Sequence, residues 1–172
     1  MQQRISGSVS FVRSWTEYEN GFGDADNFWI GLKTFRSLTP GTVRFEFTKF
    51  NGSQYHCEYD GFTIGDETSK YTMDYSRYAS ERSNITMDSL QERSRGMKFS
   101  TTDQDNDQHS ADCSDSYGGG GGWWFGACFR ANPNGEYSNT EVWKQTKYLN
   151  WYYIDGEFVS LRETRIMVQL DG

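Results

Sequence analysis

Residues 99–134, from Phe99 to Asn134, read FSTTDQDNDQHSADCSDSYGGGGGWWFGACFRANPN. Three carboxylates alternate along Asp103, Asp105 and Asp107. Two cysteines follow at Cys113 and Cys128, and between them the glycines from Gly118 to Gly122 run into Trp123 and Trp124. Carboxylates interleaved with amides gather hard oxygen donors within a few residues, and calcium takes six to eight such oxygens at about 2.3 to 2.6 Å. The helix-loop-helix calcium motif is excluded: counted from Asp103, its obligatory Gly and Glu positions hold Gln108 and Ser114. The run therefore reads as a loop site completed by backbone carbonyls and water, or else as a solvated acidic turn, in which Asp, Asn and Ser are ordinary residues. Zinc is poorly served, with only His109 and Cys113 nearby to supply nitrogen and sulfur. The glycines are no phosphate cradle, since neither Lys-Ser nor Lys-Thr follows them. They read as a flexible turn that lets Trp123 and Trp124 enter the core.

A bond between Cys113 and Cys128 would close a small loop, stabilising by about 3 kcal/mol on the loop-entropy account, and would point to an oxidising compartment. Cys57 is left over. In Tyr55-His56-Cys57-Glu58-Tyr59 alternation sets it on the face of the two tyrosines, where a free thiol packs as a small hydrophobe. An intermolecular bridge is the other reading.

Outside this segment the pattern is that of a small α+β domain. Val43, Phe45 and Phe47 alternate with Arg44, Glu46 and Thr48, and Tyr55, Cys57 and Tyr59 alternate on the return. With Asn51-Gly52 between them, the two runs predict an antiparallel hairpin. Thr16 to Asn20 predicts a short helix after Trp15, ended by Gly21, and Arg162 to Gln169 a closing strand with Ile166 and Val168 on one face. The polar, irregular stretch Tyr78 to Gln91 reads as a surface loop. Asn51-Gly52-Ser53 and Asn84-Ile85-Thr86 are glycosylation sequons, making Asn51 and Asn84 candidate acceptors.

The 172 residues suit one domain with a sizeable core, and aromatics at 17% take the place of many aliphatic core residues. Seventeen Lys and Arg against 24 Asp and Glu leave a net charge of −7, which argues against nucleic acid or an anionic membrane as partner. No apolar run approaches a membrane span, and no charged-then-apolar leader opens the chain. His56 and His109 are the only histidines, and neither has a motif-like nucleophile beside it, so the chain does not read as an enzyme.

Ordered signatures along the chain carry a family resemblance. They are Ser8-Val9-Ser10-Phe11-Val12-Arg13-Ser14-Trp15, Gly21-Phe22-Gly23, Phe28-Trp29-Ile30-Gly31-Leu32, and Tyr59-Asp60-Gly61-Phe62-Thr63-Ile64-Gly65-Asp66-Glu67. They continue through Met97-Lys98-Phe99-Ser100-Thr101, Trp123-Trp124, Asn132-Pro133-Asn134-Gly135 and Ser160-Leu161-Arg162. The sequence resembles a fibrinogen-related domain, the C-terminal module of fibrinogen chains, ficolins, tachylectins, angiopoietins and tenascins. The resemblance implies a fibrinogen C-terminal-like fold: a central twisted antiparallel sheet with short helices, and a loop-rich calcium and ligand subdomain over residues 97–172. It further implies one fibrinogen-like domain over residues 1–172 whose N-terminal subdomain is largely missing, and a secreted, extracellular protein. Any oligomerisation would run through the absent N-terminal region.

The same resemblance implies calcium as cofactor, held by the side chains of Asp105 and Asp107 and the backbone carbonyls of His109 and Ala111, with Asp103 a neighbour. It also implies the Cys113–Cys128 disulfide and a cis peptide at Ala127-Cys128. In acetyl-recognising members a pocket beside the calcium loop holds the acetyl methyl among aromatic rings, and one of its tyrosines falls on Tyr117. The usual hydrogen-bonding histidine after the second cysteine is here Phe129. A Tyr-Ala pair becomes Gln145-Thr146, and an aromatic wall position becomes Glu157, whose carboxylate would disfavour an anionic ligand. The implied ligand-binding positions are Tyr117, Phe129, Gln145 and Thr146. Trp143, Tyr148, Tyr152 and Tyr153 could rebuild an aromatic platform or simply pack in the core.

The expected function is a calcium-dependent, lectin-like binder of acetylated or related glycans in innate immune recognition. The alternative is a protein-recognition module of the signalling and matrix kind, in which calcium is only structural. The expected partner is accordingly an acetylated glycan or an extracellular protein.

Overall fold

The computed structural model describes residues 1–170. Its frame is an eight-stranded antiparallel sheet. The strands are β1 (Gln2–Arg4), β2 (Phe22–Gly23), β3 (Phe28–Trp29), β4 (Gly41–Thr48), β5 (Gln54–Ile64), β6 (Met73–Asp74), β7 (Arg77–Tyr78) and β10 (Glu163–Gln169). The order is β2-β3-β1-β10-β4-β5-β6, with β7 also pairing β5. β8 (Ala131–Asn132) and β9 (Asn150–Trp151) form a separate two-stranded ribbon.

The predicted hairpin is β4–β5, in the register Phe45 opposite Cys57 and Phe47 opposite Tyr55. Val43, Phe45, Phe47, Cys57 and Tyr59 all point inward and are buried, as alternation on a one-sided sheet requires. The closing strand completes this face with Ile166. Cys57 is a free thiol, fully buried, and burial pushes its pKa well above the usual thiol range.

The predicted helix is α1 (Trp15–Asn20). Ser14 and Glu17 form a reciprocal capping box at its start, and Gly21 ends it at φ 97°. α2 (Leu32–Ser37) is as short, and α3 (Cys113–Ser116) is shorter still. Most of the core is aromatic. Trp124 packs on Phe99 at 5.1 Å and on Trp123 at 4.9 Å, and Trp151 of β9 lies 4.9 Å from Phe45 and 4.8 Å from Phe47. Through Trp151 the ribbon is seated directly on the inner face of the sheet.

Two sequence expectations change. The glycine run is not a loose turn: Gly118, Gly120, Gly121 and Gly122 are buried. A Cβ on Gly121 would lie 1.9 Å from the Asn134 carbonyl oxygen, so the run is glycine because backbone passes against backbone. The stretch from Tyr78 to Gln91 is irregular, yet Ala79, Ile85, Ser89 and Leu90 are buried. Asp88 accepts the hydroxyls of Tyr59 at 2.9 Å and Tyr75 at 2.6 Å, fastening the stretch to β5. Its apolar residues are too sparse to show a period.

Candidate functional site

The acidic loop leads into α3, and its residues face one another. Asp105 Oδ1 accepts the Asp107 N–H at 3.0 Å; Asp107 Oδ1 accepts that of His109 at 2.8 Å, and Asp107 Oδ2 that of Cys113 at 2.8 Å. The loop is thus tied to the first residue of α3. Asp103 turns away, accepting from the Trp15 backbone N–H at 2.9 Å and the Thr101 hydroxyl at 2.7 Å. Burial raises Asp107 above the usual carboxyl range, and the neighbouring Asp105 carboxylate adds to the rise against the backbone N–H groups that oppose it. Asp112, the N-cap of α3, is raised by burial and by Asp105 too.

None of the ion pairs among the described residues reaches Asp105, Asp107 or Asp112. Carboxylates crowded together without a cationic side chain are a donor set that fits a hard divalent cation. Zinc is a different matter. Ligand atoms of His109, Cys113 and Cys128 lie within 4.8 Å of one another, but both sulfurs belong to the Cys113–Cys128 disulfide and cannot ligate as thiolates.

The disulfide joins α3 to the segment before β8. The Ala127-Cys128 peptide is cis. Phe129 and Arg130 follow and are positioned by β8. Here a cavity of about 270 Å³ opens, lined by the rings of Tyr117, Phe129 and Phe158, by Thr146, His109, Arg93 and Arg130, and by Ala127 and Cys128. The Phe129 ring is 6.0 Å from Phe158 and 5.4 Å from Phe125, and Tyr117 meets the His109 ring edge-on at 5.5 Å. Tyr117 remains 41% exposed, whereas Phe129 is buried.

Of the four positions expected to bind ligand, Tyr117, Phe129 and Thr146 line this cavity, while Gln145 is exposed and stands outside the lining. The expected wall residue Glu157 is also outside: its carboxylate accepts the Phe158 N–H at 2.8 Å, and Phe158 supplies the ring one position later. Sequence reasoning missed Arg93, Arg130 and Phe158. Arg130 follows Phe129 directly and could have been found with it, whereas Arg93 sits in the polar stretch where nothing marks it. Tyr148 and Trp143 stand apart, and Trp143 is half exposed with its Nε1 donating to Glu141 at 2.8 Å. Asn51 is exposed at the hairpin tip. Asn84 is exposed too, but both ends of its amide are engaged, with the His56 N–H at 2.7 Å and the Gln54 carbonyl at 3.2 Å.

The family profile described as "Fibrinogen beta and gamma chains, C-terminal globular domain" matches residues 1–170. The chain belongs to that family. Its members are non-enzymatic binding modules. Angiopoietin-4 of Bos taurus is 34% identical over 178 residues, covering 100% of this chain and 34% of that protein. Fibrinogen-like protein A of Apostichopus parvimensis is 35% identical over 161 residues, 91% of this chain and 54% of that protein. The chain thus spans about a third to a half of the length of these relatives. Among solved structures, the fibrinogen-like globe domain of human ANGPTL6 superposes with a TM-score of 0.89 at 27% identity, covering 99% of this chain and 77% of that one. A lamprey fibrin D-dimer, complexed with the peptide ligand Gly-His-Arg-Pro-amide, gives a TM-score of 0.80 at 25% identity over 99% of this chain and 62% of that one. No helix among the described residues is long and apolar enough to cross a membrane.

Proposed function

We propose that this chain is a calcium-stabilised recognition domain acting outside the cell, whose cavity takes part of a protein rather than a sugar. The observation that carries this is the aromatic wall of the cavity. Its walls are the rings of Phe129, Phe158 and Tyr117, and two of its polar side chains are already engaged within the chain. His109 Nδ1 accepts the Ala111 N–H at 3.0 Å, and the Thr146 hydroxyl donates to the Tyr117 carbonyl at 3.0 Å. Three rings facing one space give an apolar or aromatic side chain a fitting wall. That a lamprey relative is complexed with a peptide ligand supports a protein as the class of partner, without bearing on the chemistry of this cavity.

Calcium bound by Asp105, Asp107 and the carbonyls of His109 and Ala111 would supply charge compensation and stiffen the loop that carries Tyr117, with no chemical step to perform. The disulfide supports an oxidising, extracellular setting. A lectin reading rests on Tyr117, whose exposed ring suits a sugar face.

Cell-surface binding of the labelled 172-residue chain separates the two. Binding is expected to survive glycosidase treatment of the cells, to disappear after mild surface proteolysis, and to weaken in Tyr117→Ala. Loss after glycosidase together with competition by free N-acetylglucosamine would instead make the domain a lectin.

A further inference from the structure

The cavity combines apolar walls with two cationic groups that lack adequate counter-ions. Arg93 takes part in none of the ion pairs among the described residues, and its guanidinium donates to the carbonyl of Ala127, which also lines the cavity. Arg130 stacks on Tyr152, its guanidinium carbon 4.3 Å from the ring centroid. Its Nε is buried without a hydrogen-bond partner, and its nearest carboxylate, Glu92 Oε2, lies 3.6 Å away, beyond hydrogen-bond length and half exposed. No carboxylate side chain lines the cavity. On a chain of net charge −7, two arginines line one largely aromatic cavity, with the half-exposed Glu92 the one carboxylate paired to them. The Glu157 carboxylate, expected to repel anions, is held by the Phe158 N–H outside the lining.

Resting on the reading of this site as a protein-binding cavity, we infer that its ligand is an acidic protein segment. A carboxylate would be received by Arg93 and Arg130, and an adjoining aromatic or large apolar side chain would fill the space between Tyr117, Phe129 and Phe158. Planar guanidinium groups match a carboxylate's two oxygens, and the adjacent rings exclude water from the pair. Charge complementarity selects this occupant over a cationic peptide, which two arginines would repel.

The test is calorimetric titration of the calcium-loaded chain with N-acetyl-phenylalanine and with its uncharged amide, which differ only in the carboxylate. The acid is expected to bind about fivefold or more tightly at low salt, and the preference should shrink at high ionic strength. Arg130→Gln should abolish most of the preference, and Arg130→Lys should keep part of it. Because Arg130 donates no hydrogen bond to the backbone, these variants spare the Arg93–Ala127 link. Equal binding of acid and amide, or no binding of either at millimolar concentration, overturns the inference. Tighter binding of N-acetylneuraminic acid than of N-acetyl-phenylalanine overturns it in favour of an acidic sugar. Protease-sensitive cell binding with no acid preference would leave the protein-binding reading standing and remove only the acidic ligand. Glycosidase-sensitive cell binding would remove the reading beneath it.

Discussion

Single atoms decide how the glycine run meets the Asn132-Pro133-Asn134-Gly135 turn. Asn134 Nδ2 donates to the Gly122 carbonyl at 2.8 Å, and Asn132 Nδ2 to that of Gly118 at 3.0 Å, so each asparagine caps a backbone group that burial would otherwise orphan. Gln2 of β1 donates to the Pro133 carbonyl at 2.9 Å, and the buried Arg4 guanidinium donates to that of Gly135 while lying 4.0 Å over the Phe11 ring. With the Asn134-Gly135 backbone pressed against it, Gly121 has no room for a methyl group. Gly121→Ala is therefore expected to lower the unfolding free energy by about 1 to 3 kcal/mol, the usual cost of overpacking, as read from the urea midpoint. An alanine variant as stable as the parent would mean that the run is as loose as its composition suggests. Composition alone cannot distinguish a glycine needed for freedom from one needed for closeness, because the neighbouring backbone arrives from a distant part of the chain.

The β4–β5 hairpin shows what alternation makes legible and what it leaves out. The inward residues and the place of the turn follow from Val43, Phe45, Phe47, Cys57 and Tyr59 around Asn51-Gly52, whereas the register, Thr48 opposite Gln54, is set by a loop of three residues rather than by that pair alone. The two-residue strands β2, β3, β6 and β7 are too short to carry a period, and their existence depends on the long strands beside them. On the outer face a cross-strand ion network forms. Glu58 of β5 accepts from Arg44 of β4 at 3.0 Å and from Arg82 at 2.5 Å. Burial alone would raise the Glu58 pKa, but the hydrogen bonds from Arg82 and Arg44 outweigh it and hold the carboxyl below its ordinary value. A depressed acid contributes stability that is fully present above its unfolded pKa, about 4.3 for Glu, and that is lost as pH falls through the lower folded value. Urea unfolding between pH 6 and pH 3 should accordingly show a stability loss below about pH 4.3 that is smaller in Glu58→Gln. Identical pH profiles for the two proteins would show that the network contributes nothing.

Across the whole molecule, the ligand cavity depends on parts that are distant in sequence. Trp151 seats β9 on the sheet, β8 pairs with β9 and aims Phe129 and Arg130, and the disulfide draws the acidic loop alongside so that Tyr117 closes the wall. The motifs that carry this frame were readable because each is local: an alternating acidic run, a cysteine pair, and the Asn132-Pro133-Asn134-Gly135 signature. The cavity's charge was not readable, since Arg93 enters from a stretch whose burial only the folded chain reveals. The frame also predicts how calcium should act on stability. The loop brings Asp105, Asp107 and Asp112 together without a cationic side chain, and burial and mutual repulsion raise Asp107. An ion that binds this native arrangement but not the unfolded chain adds about 2.7 kcal/mol at a hundred times its dissociation constant. For a domain of this size that corresponds to a rise in Tm of roughly 5 to 10 °C. Saturating calcium should produce this shift over chelator in the wild-type chain, and Asp107→Asn should flatten it. Asp103→Asn, which alters the Trp15 and Thr101 contacts instead, should lower Tm in both conditions and leave the calcium shift in place. Equal melting of the wild-type chain in calcium and in chelator would remove the ion from this loop.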